Sequence, residues 1–485
     1  MLNGMVTIQE KLNPAADAPA MTDLDRIFAA QQTAFSNNPV TSAAERVMHL
    51  NKLKSALISY QDRIIQAVNE DFSGRAADET LLAEFFPSVE GIHFTAKHVK
   101  RWMKPERRWV NLAFMPGKAR VIYQPLGVVG IIVPWNYPVY LSIGPLTCAL
   151  GAGNRVMIKM SKSTPETAKV FQQMIAETFS EDHVAVVAGS EGMGSEFASK
   201  PWNHLCFTGS TRTGRQVMRA AADNLTPVTL ELGGKSPAII GPDTPVNEAA
   251  ERIAFGKLLN SGQTCIAPDY VLCPRSKIQA FVSAIKSCVM KMYPSLKANP
   301  QFTSIVNAHQ HERIYSLLED ARRQGAQVFE INPANEDFSD TRKMPLYVLC
   351  GVTADMRVMQ EEIFGLLLPV VPYDTLKDAV EFVNRRPRPL ALYYFGYGQS
   401  QIDYVLNHTC SGGAAVNDVL IHCPQDDLPF GGVGESGMGR YHGQAGFINF
   451  SNEKGVLYKP RFNVTKLIYP PYGKIHRLVY KLFIR

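Results

Sequence analysis

The stretch His204-Leu205-Cys206-Phe207-Thr208-Gly209-Ser210-Thr211-Arg212-Thr213-Gly214 contains an apolar run, a turn and the start of a helix, in that order. The run His204–Phe207 predicts a buried strand, and Gly209 and Ser210 follow it as turn residues. A strand that ends in a turn and leads into a helix is the repeating unit of doubly wound α/β sheets. The same alternation recurs on both sides of this stretch, so the sequence predicts an α/β fold.

Short β-branched runs separated by helical stretches extend this pattern along the chain. The first series of predicted strands also includes Val129–Val133, Val156–Lys159, Val184–Ala188, Val228–Leu232 and Ser236–Ile240. A second series runs from Tyr270 through Val328, Tyr347 and Leu367 to Ala391–Phe395. Residues 22–70 predict amphipathic helices with apolar positions at Leu50, Leu53, Leu57, Ile64 and Ile65. The segment Arg101–Arg120, rich in tryptophan, proline and basic residues, predicts an exposed excursion.

Size and composition restrict the class of protein. A chain of 485 residues exceeds a single core and predicts two or three domains. With 46% apolar and 19% charged residues it is typical of soluble globular proteins. No two of its eight cysteines have CxxC spacing, so no zinc ribbon, dithiol motif or other metal site is predicted. Free cysteines favour a reducing, cytoplasmic location.

Two segments raise the question of a membrane. The first 20 residues have no apolar run and do not predict a signal peptide. The uncharged stretch around residues 121–154 is interrupted by prolines, which favours buried strands, a loop and a glycine-rich helix over a membrane span.

The net charge of +6 is concentrated at the C-terminus. Residues 459–485 carry seven basic side chains and no acidic one, which leaves the rest of the chain close to neutral and predicts no nucleic-acid binding. From Lys474 to Arg485, Ile475, Leu478, Val479, Leu482 and Phe483 form an apolar stripe. We expect this stripe to pack on the body of the protein or on a second subunit; the alternative is an anionic membrane surface.

Cys265 is the candidate nucleophile. It lies in Gly262-Gln263-Thr264-Cys265-Ile266-Ala267-Pro268-Asp269-Tyr270, where the preceding residues are polar or small and Gly262 permits a tight turn. The default role of a cysteine is that of a small core residue. A reactive thiol needs an approach path and a lowered pKa, and the setting of Cys265 favours the catalytic role.

Glu231 is the candidate base, and it ends the predicted strand Val228–Leu232, just before Gly233-Gly234. A carboxylate in this position usually pairs with a lysine or an N–H, and Lys235 is nearby in sequence. The strand end is also where active sites form in open α/β sheets. A thiol and a carboxylate together suggest acylation of a nucleophile followed by release with activated water.

These two stretches, together with Pro134-Trp135-Asn136-Tyr137-Pro138, resemble the NAD(P)-dependent aldehyde dehydrogenases over about residues 20 to 460. The resemblance implies that Cys265 attacks the aldehyde and that Asn136 and the Cys265 N–H stabilise the oxyanion. From the residues alone, Asn136 would rather cap a turn between the two prolines. The resemblance also implies that Glu231 activates the hydrolytic water, which favours a free carboxylic acid over a coenzyme A ester.

The resemblance also implies a cofactor site for NAD or NADP. No GxGxxG follows a strand, so the usual dinucleotide fingerprint is absent. The pyrophosphate is expected at the helix that follows the opening stretch, near Gly209, Ser210, Thr211 and Gly214. Glu362 and Phe364 match the residues that hold the nicotinamide ribose and ring, and Trp135 is also assigned to the cofactor site. The alternative roles of Glu362 and Phe364 are a helix-terminal carboxylate and a core aromatic.

The adenosine ribose site departs from the family pattern. Lys159 matches the family lysine, but Lys162 stands where NAD-preferring members usually have a glutamate. Glu166 is no obvious substitute, because Ser163-Thr164-Pro165-Glu166 predicts a capping box at the next helix. Two lysines without a carboxylate favour tolerance of, or preference for, the 2′-phosphate of NADP. Alternatively, Lys162 points to solvent and cofactor choice is broad.

The run from Val416 to Gly443 and the residues Ala267–Tyr270 resemble the class 3 and coniferyl aldehyde dehydrogenase branch. The resemblance implies aromatic or medium- to long-chain aldehydes as substrates and a homodimer. It also implies four units: a cofactor-binding domain (1–102 and 124–232), a catalytic domain (233–439), an oligomerisation element (103–123 and 440–460) and a C-terminal tail (461–485). The alternatives are a cofactor-independent thiol esterase and a retired family member with a structural or binding role.

Overall fold

The computed structural model describes residues 22–484, except Glu191 and residues 463–465 and 467–468. The beginning of the expected cofactor-binding domain, residues 1–21, therefore lies outside the described residues. The described helices are α1 (Asp23–Asn37), α2 (Ala43–Ser59), α3 (Gln61–Phe72), α4 (Ala77–Thr80), α5 (Phe86–Trp102), α6 (Tyr140–Ala152), α7 (Pro165–Thr178), α8 (Met193–Ala198), α9 (Thr211–Ala222), α10 (Val246–Leu258), α11 (Ile278–Met292), α12 (Ala308–Arg323), α13 (Arg357–Gln360), α14 (Leu376–Asn384), α15 (Gln399–His408), α16 (Gly443–Asn449) and α17 (Lys474–Phe483).

The described strands are β1 (Glu106–Arg108), β2 (Lys118–Pro125), β3 (Val128–Ile132), β4 (Arg155–Lys159), β5 (Val184–Val187), β6 (His204–Thr208), β7 (Val228–Glu231), β8 (Pro237–Ile240), β9 (Tyr270–Pro274), β10 (Gln327–Ile331), β11 (Leu346–Cys350), β12 (Leu367–Tyr373), β13 (Ala391–Phe395), β14 (Gly413–Val416), β15 (Gly437–Met438) and β16 (Ser451–Tyr458). They form three sheets. The predicted α/β fold class and the predicted strands are confirmed, except that Ser236–Ile240, placed in the first series, belongs to the second sheet as β8.

The first sheet has the order β15-β7-β6-β3-β4-β5, and its strands are parallel except for β15. The chain adds β4 and β5 on one side of β3 and then returns to add β6 and β7 on the other. The connections that follow β3 and β6 therefore run toward opposite edges of the sheet. In sheets of this kind, ligands bind in the crevice where the strand order reverses in this way. Glu231 is the last residue of β7, at the same edge of the sheet.

The second sheet has the order β10-β11-β12-β9-β8-β13-β14 and is parallel apart from β10. Its central strands are buried along their whole length, which explains their continuous apolar sequences. The segment Leu259–Pro268 connects α10 to β9 and carries Cys265 to the edge of this sheet that faces the first one.

The N-terminal helices confirm the predicted amphipathic pattern, and Leu50, Leu53, Leu57 and Ile64 are fully buried. A capping box starts α2, since Ser42 and Glu45 bond to each other's backbone N–H. A π-helical turn at Leu81–Phe85 then joins α4 to α5.

The third sheet, β1-β2-β16, is antiparallel and joins the two segments assigned to the oligomerisation element. Large apolar side chains are exposed on and beside it: Trp109, Leu112, Phe114, Met115, Leu457, Tyr458 and Phe462. The prediction that the segment Arg101–Arg120 is exposed is wrong for Trp102. Trp102 is the last residue of α5 and is 4% exposed, packed against Phe447 with ring centroids 5.8 Å apart.

The C-terminal tail contains the predicted helix, α17. Ile475 and Leu478 are 54% and 61% exposed, so these two residues do not pack on the body of their own chain as expected. The side chains of Val479, Leu482 and Phe483, the rest of the predicted stripe, lie outside the described residues. Across the described part of the chain, no helix has the length and apolar character needed to cross a membrane.

Candidate active site

The segment before Cys265 is a strained turn. Asn260, Ser261 and Gly262 have φ values of 50°, 52° and 71°, all in the left-handed region. At Gly262 a Cβ atom would lie 2.6 Å from the carbonyl oxygen of Gly365, so only glycine fits. Such a conformation persists only when surrounding bonds impose it. The sequence predicted the turn at Gly262 but not its two left-handed neighbours.

Side chains of the turn fix it to the segment Thr303–Val306. The Gln263 amide donates to the carbonyl oxygens of Asn260 and Ser304, both at 3.0 Å, and accepts from the N–H of Val306 at 2.9 Å. The Ser261 hydroxyl donates to the carbonyl of Thr303. Because these groups are buried and hydrogen-bonded, Cys265 is presented from a rigid support.

Cys265 lines two cavities. One, of about 330 Å³, is apolar, and the other, of about 510 Å³, is the more polar of the two and is called the polar cavity below. The thiol is partly exposed, whereas Cys148, Cys206, Cys273 and Cys350 are buried. Burial, followed by the charge of Cys423, raises the pKa of the Cys265 thiol well above its ordinary value. The lowered pKa expected of a reactive thiol is therefore not found in this state, and the thiol must lose its proton before it becomes a nucleophile.

Asn136 forms hydrogen bonds with the turn that precedes Cys265 and not with its own loop. Its side-chain amide donates to the carbonyl oxygen of Gln263 at 3.1 Å, and its backbone carbonyl accepts from Asn260 at 3.0 Å. The expectation from residues alone, that this side chain caps a turn between Pro134 and Pro138, is thus not what the structure shows. The amide has a second hydrogen available for a ligand beside Cys265.

Glu231 lies in the wall of the polar cavity and is 2% exposed. Neither of its carboxylate oxygens has a hydrogen-bond partner among the described residues. Burial raises the pKa of this carboxyl well above its usual range, and the charge of Arg440 lowers it in part. The suggested pairing with Lys235 is wrong, because Lys235 forms an ion pair with Asp269 and donates to the carbonyl of Val358 at 2.7 Å. An unpaired buried carboxylate is a typical general base.

The polar cavity brings together most of the predicted cofactor residues: Trp135, Gly209, Ser210, Thr211, Glu362 and Phe364. The rings of Trp135 and Phe364 meet edge to face at 5.3 Å. One oxygen of Glu362 is buried without a partner among the described residues, and burial raises the pKa of this carboxyl to about 8. Ribose hydroxyls would satisfy this oxygen, and the exposed N-terminus of α9 suits a pyrophosphate. The residues present therefore fit a nicotinamide dinucleotide.

Three predicted cofactor residues do not line this cavity. Gly214 lies inside α9, where a Cβ atom would be 2.6 Å from the side chain of Leu232, so its role is close packing of helix on strand. Lys159 is the last residue of β4, and Lys162 lies three residues further along the chain. Burial and the neighbouring charge of Lys162 lower the pKa of Lys159, which places the two ammonium groups near each other.

The predicted capping box at Ser163–Glu166 is also wrong. Thr164 makes no side-chain cap, and its hydroxyl is buried without a partner among the described residues. The carboxylate of Asp71, at the end of α3, accepts instead from the N–H groups of Glu166 and Thr167 at 3.0 and 2.9 Å. A distant residue therefore caps α7.

Sequence analysis missed a buried ion pair behind the site. Arg75 and Glu84 are fully buried, with 3.0 Å between guanidinium and carboxylate. The guanidinium of Arg75 donates to the backbone carbonyl of Asn136 at 2.9 Å, and Glu84 accepts from the N–H groups of Val139 and Tyr140 at 2.7 and 3.1 Å. The pair thus fixes both ends of the Asn136 loop. No local sequence pattern marks this pair, because the loop to which it bonds lies 55 to 61 residues away in the chain.

Replacing Arg75 by alanine should lower the free energy of unfolding by roughly 3–5 kcal/mol, because it leaves the Glu84 charge buried and unpaired. Denaturant unfolding measures this change. Arg275→Ala is the matched control, since it removes an exposed ion pair with Asp374 and is expected to change stability little. Equal effects of the two substitutions would contradict the structural role given to Arg75.

The apolar cavity was not foreseen from the sequence. Its wall contains six aromatic residues: Phe86, Tyr137, Tyr140, Phe255, Phe430 and Tyr441. None of the described residues that line it is charged. Leu82 and Phe86, at its opening, are 55% and 59% exposed. Such a cavity suits an uncharged ligand with an apolar or aromatic body.

Comparisons with known proteins agree on one family. The model of the aldehyde dehydrogenase family matches residues 9–456. The probable coniferyl aldehyde dehydrogenase of Pseudomonas aeruginosa is 56% identical, covering 96% of this chain and 97% of that protein. The substrate-bound structure of Staphylococcus aureus AldH has a TM-score of 0.90 and 35% identity, covering 96% of this chain and all of that one. The Mycobacterium tuberculosis aldehyde dehydrogenase complexed with NAD+ has a TM-score of 0.83 and 29% identity, covering 91% of each chain.

Proposed function

Because the chain belongs to the aldehyde dehydrogenase family and is an NAD(P)-dependent enzyme, we propose that Cys265, Asn136 and Glu231 carry out aldehyde oxidation in it. The observation that carries this proposal is the position of Cys265, which lies between an apolar cavity and a polar cavity with an unpaired carboxylate. The apolar cavity holds the aldehyde, and the polar cavity holds the cofactor.

The first step is attack of the Cys265 thiolate on the aldehyde carbon. The oxyanion that forms accepts hydrogen bonds from the free hydrogen of the Asn136 amide and from the Cys265 N–H. Since burial keeps the thiol protonated in this state, Cys265 loses its proton to solvent before it attacks, and Glu231 is reserved for the later hydrolytic step.

When bound, the nicotinamide supplies the acceptor for the hydride that leaves the aldehyde carbon. Trp135 and Phe364 would border its ring, and Glu362 would accept hydrogen bonds from its ribose. The acyl group then remains on Cys265 as a thioester. Glu231 takes a proton from water, which attacks the thioester and releases the carboxylic acid.

The substrate is an aromatic aldehyde such as coniferyl aldehyde, or a medium- to long-chain aliphatic one. The aromatic, uncharged wall of the apolar cavity supports either class. The relative from Pseudomonas aeruginosa is named a probable coniferyl aldehyde dehydrogenase, which favours the aromatic class. An assay of reduced cofactor against an aldehyde panel tests the reaction. Ester hydrolysis without cofactor, combined with no aldehyde oxidation, would indicate the thiol esterase, and inactivity in both assays a retired enzyme.

For cofactor choice, we propose that Lys159 and Lys162 bind the adenosine ribose and its 2′-phosphate. NADP should then be used at least as well as NAD. Lys162→Glu should shift the ratio of kcat/KM values toward NAD by about tenfold, through repulsion of the 2′-phosphate. Lys169→Glu makes the same charge change on the exposed face of α7 and should leave the ratio unchanged. Strong NAD selectivity of the wild-type enzyme would contradict this role.

We further propose a cytoplasmic homodimer whose subunits meet at the sheet β1-β2-β16. The exposed apolar residues of this sheet exceed the scattered ones expected on a monomer. The division into domains given above stays part of this proposal. The three sheets support it, except that β15, within the range 233–439, pairs with β7 of the first sheet.

The tail should contribute to this dimer, since Ile475 and Leu478 are exposed in a single chain. Ending the chain at Pro460 is expected to weaken dimers or lower thermal stability without affecting vesicle binding. Light scattering after gel filtration and co-sedimentation with anionic and neutral vesicles measure both properties. Salt-sensitive binding to anionic vesicles that requires the tail would overturn packing on a second subunit in favour of a membrane surface.

A further inference from the structure

Cys423 places a second thiol in the wall of the apolar cavity that Cys265 also lines. Both cysteines are partly exposed. Cys288 and Cys410, the other accessible cysteines, are not among the residues lining either cavity. The mechanism proposed above has no use for the thiol of Cys423. Its position is therefore unexplained by aldehyde oxidation alone.

The two thiols lie within electrostatic range of each other. After burial, the charge of Cys423 is the largest influence that raises the pKa of Cys265. Burial raises the pKa of Cys423 to about 12, and the hydroxyl of Tyr140 lowers it in part. That hydroxyl is 3.0 Å from Nε2 of His442. Cys423 is thus an unreactive thiol by itself, and the hydroxyl of Tyr140 lies beside it.

The chain around Cys423 is suited to a small movement. Residues 417–429 contain no helix or strand, and Leu420 has a φ of 66°. The Asn417 N–H donates to the carbonyl of Tyr394 on β13 at 2.8 Å, whereas the Cys423 N–H donates within the segment, to the carbonyl of Leu420 at 3.0 Å. A shift of residues 420–424 toward Cys265 would therefore break no hydrogen bond between strands. Cys265 itself is held by the fixed turn described above.

We propose that Cys265 and Cys423 form a reversible disulfide when a hydroperoxide oxidises Cys265. In the first step the Cys265 thiolate attacks the terminal peroxide oxygen, the O–O bond breaks, and the products are a sulfenic acid and an alcohol or water. In the second step the Cys423 sulfur attacks the sulfenic sulfur; its proton and the hydroxyl group leave as water. Two thiols thus lose two electrons, which reduce the peroxide.

This disulfide has two consequences. It removes the nucleophile from the aldehyde site, so the enzyme is switched off. It also prevents further oxidation of Cys265 to sulfinic or sulfonic acid, which thiol reductants do not reverse. The proposal rests on the proposed function only in taking Cys265 as the reactive thiol.

The test uses the full-length wild-type enzyme treated with hydrogen peroxide and digested without reductant. Mass spectrometry should identify a peptide pair linking Cys265 to Cys423. Most of the lost activity should return with dithiothreitol. Cys423→Ser, compared with its own untreated activity, should instead lose activity that dithiothreitol does not restore, and its Cys265 should carry sulfinic or sulfonic acid. Cys410→Ser, which removes an exposed thiol, should behave as the wild type.

Overoxidised Cys265 without a linked peptide in the wild-type enzyme would overturn the proposal. So would a disulfide from Cys265 to another cysteine, or equal recovery in the wild type and Cys423→Ser. The linked peptide is detected by mass alone. Its absence therefore refutes the disulfide even when the dehydrogenase assignment holds. An enzyme that oxidises no aldehyde before peroxide treatment but still forms the linked peptide would refute only that assignment.

Discussion

Replacing Cys265 by alanine is expected to abolish aldehyde oxidation, with kcat lower by about 10⁴-fold or more, because loss of a covalent nucleophile removes the whole two-step route. The fold should be retained, since the turn around Cys265 is held by Asn260, Ser261 and Gln263 and not by the thiol. The rate of cofactor reduction with a saturating aldehyde measures the loss.

The control for this substitution is Cys288→Ala, which removes a partly exposed thiol on α11. It should retain wild-type activity. A Cys265→Ala variant that still reduces cofactor in the presence of aldehyde at a substantial rate would show that this thiol does not carry the reaction. Thermal unfolding of both variants separates a chemical loss from misfolding.

Replacing Glu231 by glutamine is expected to separate the two halves of the reaction. The hydride step is spared, so cofactor is reduced in a rapid burst of about one equivalent per active site. Release of the acid then lacks its base, and steady turnover should fall by about 10²–10⁴-fold. Glutamine keeps the shape of the side chain. Stopped-flow measurement of reduced cofactor records both phases.

The wild-type pH profile gives an independent check on the same residue. Glu231 acts as a base only when ionised, and burial raises the pKa of this carboxyl. The kcat of deacylation should therefore fall with decreasing pH well before an exposed glutamate would be protonated. Glu453→Gln, at an exposed position of β16, is the matched control and should preserve this profile. Full steady-state activity of Glu231→Gln would refute the assigned role.

Local sequence patterns predicted the strands well because buried parallel strands have continuous apolar runs. The predicted strand Val228–Leu232 is observed at Val228–Glu231, and Val156–Lys159 at Arg155–Lys159. The motif residues beside Cys265 were found for a related reason. A turn that presents a side chain needs glycine and polar residues next to each other in the chain.

The errors concern partners that are distant in sequence. Lys235 pairs with Asp269 rather than with the nearby Glu231, and Asp71 caps α7 in place of the local Thr164. The ion pair of Arg75 and Glu84 binds the Asn136 loop, and Asn136 is 61 residues from Arg75 in the chain. The apolar cavity likewise combines residues from several separate segments of the chain, so a single sequence contains no signal for its shape.

The most direct test of the account is intact-protein mass spectrometry of Glu231→Gln after reaction with coniferyl aldehyde and NADP, followed by peptide mapping. We expect the mass to increase by that of one acyl group, with the thioester on Cys265, while the Cys265→Ala/Glu231→Gln double variant gains no mass. A burst of reduced cofactor without any adduct, or an adduct on another residue such as Cys423, would contradict covalent catalysis by Cys265.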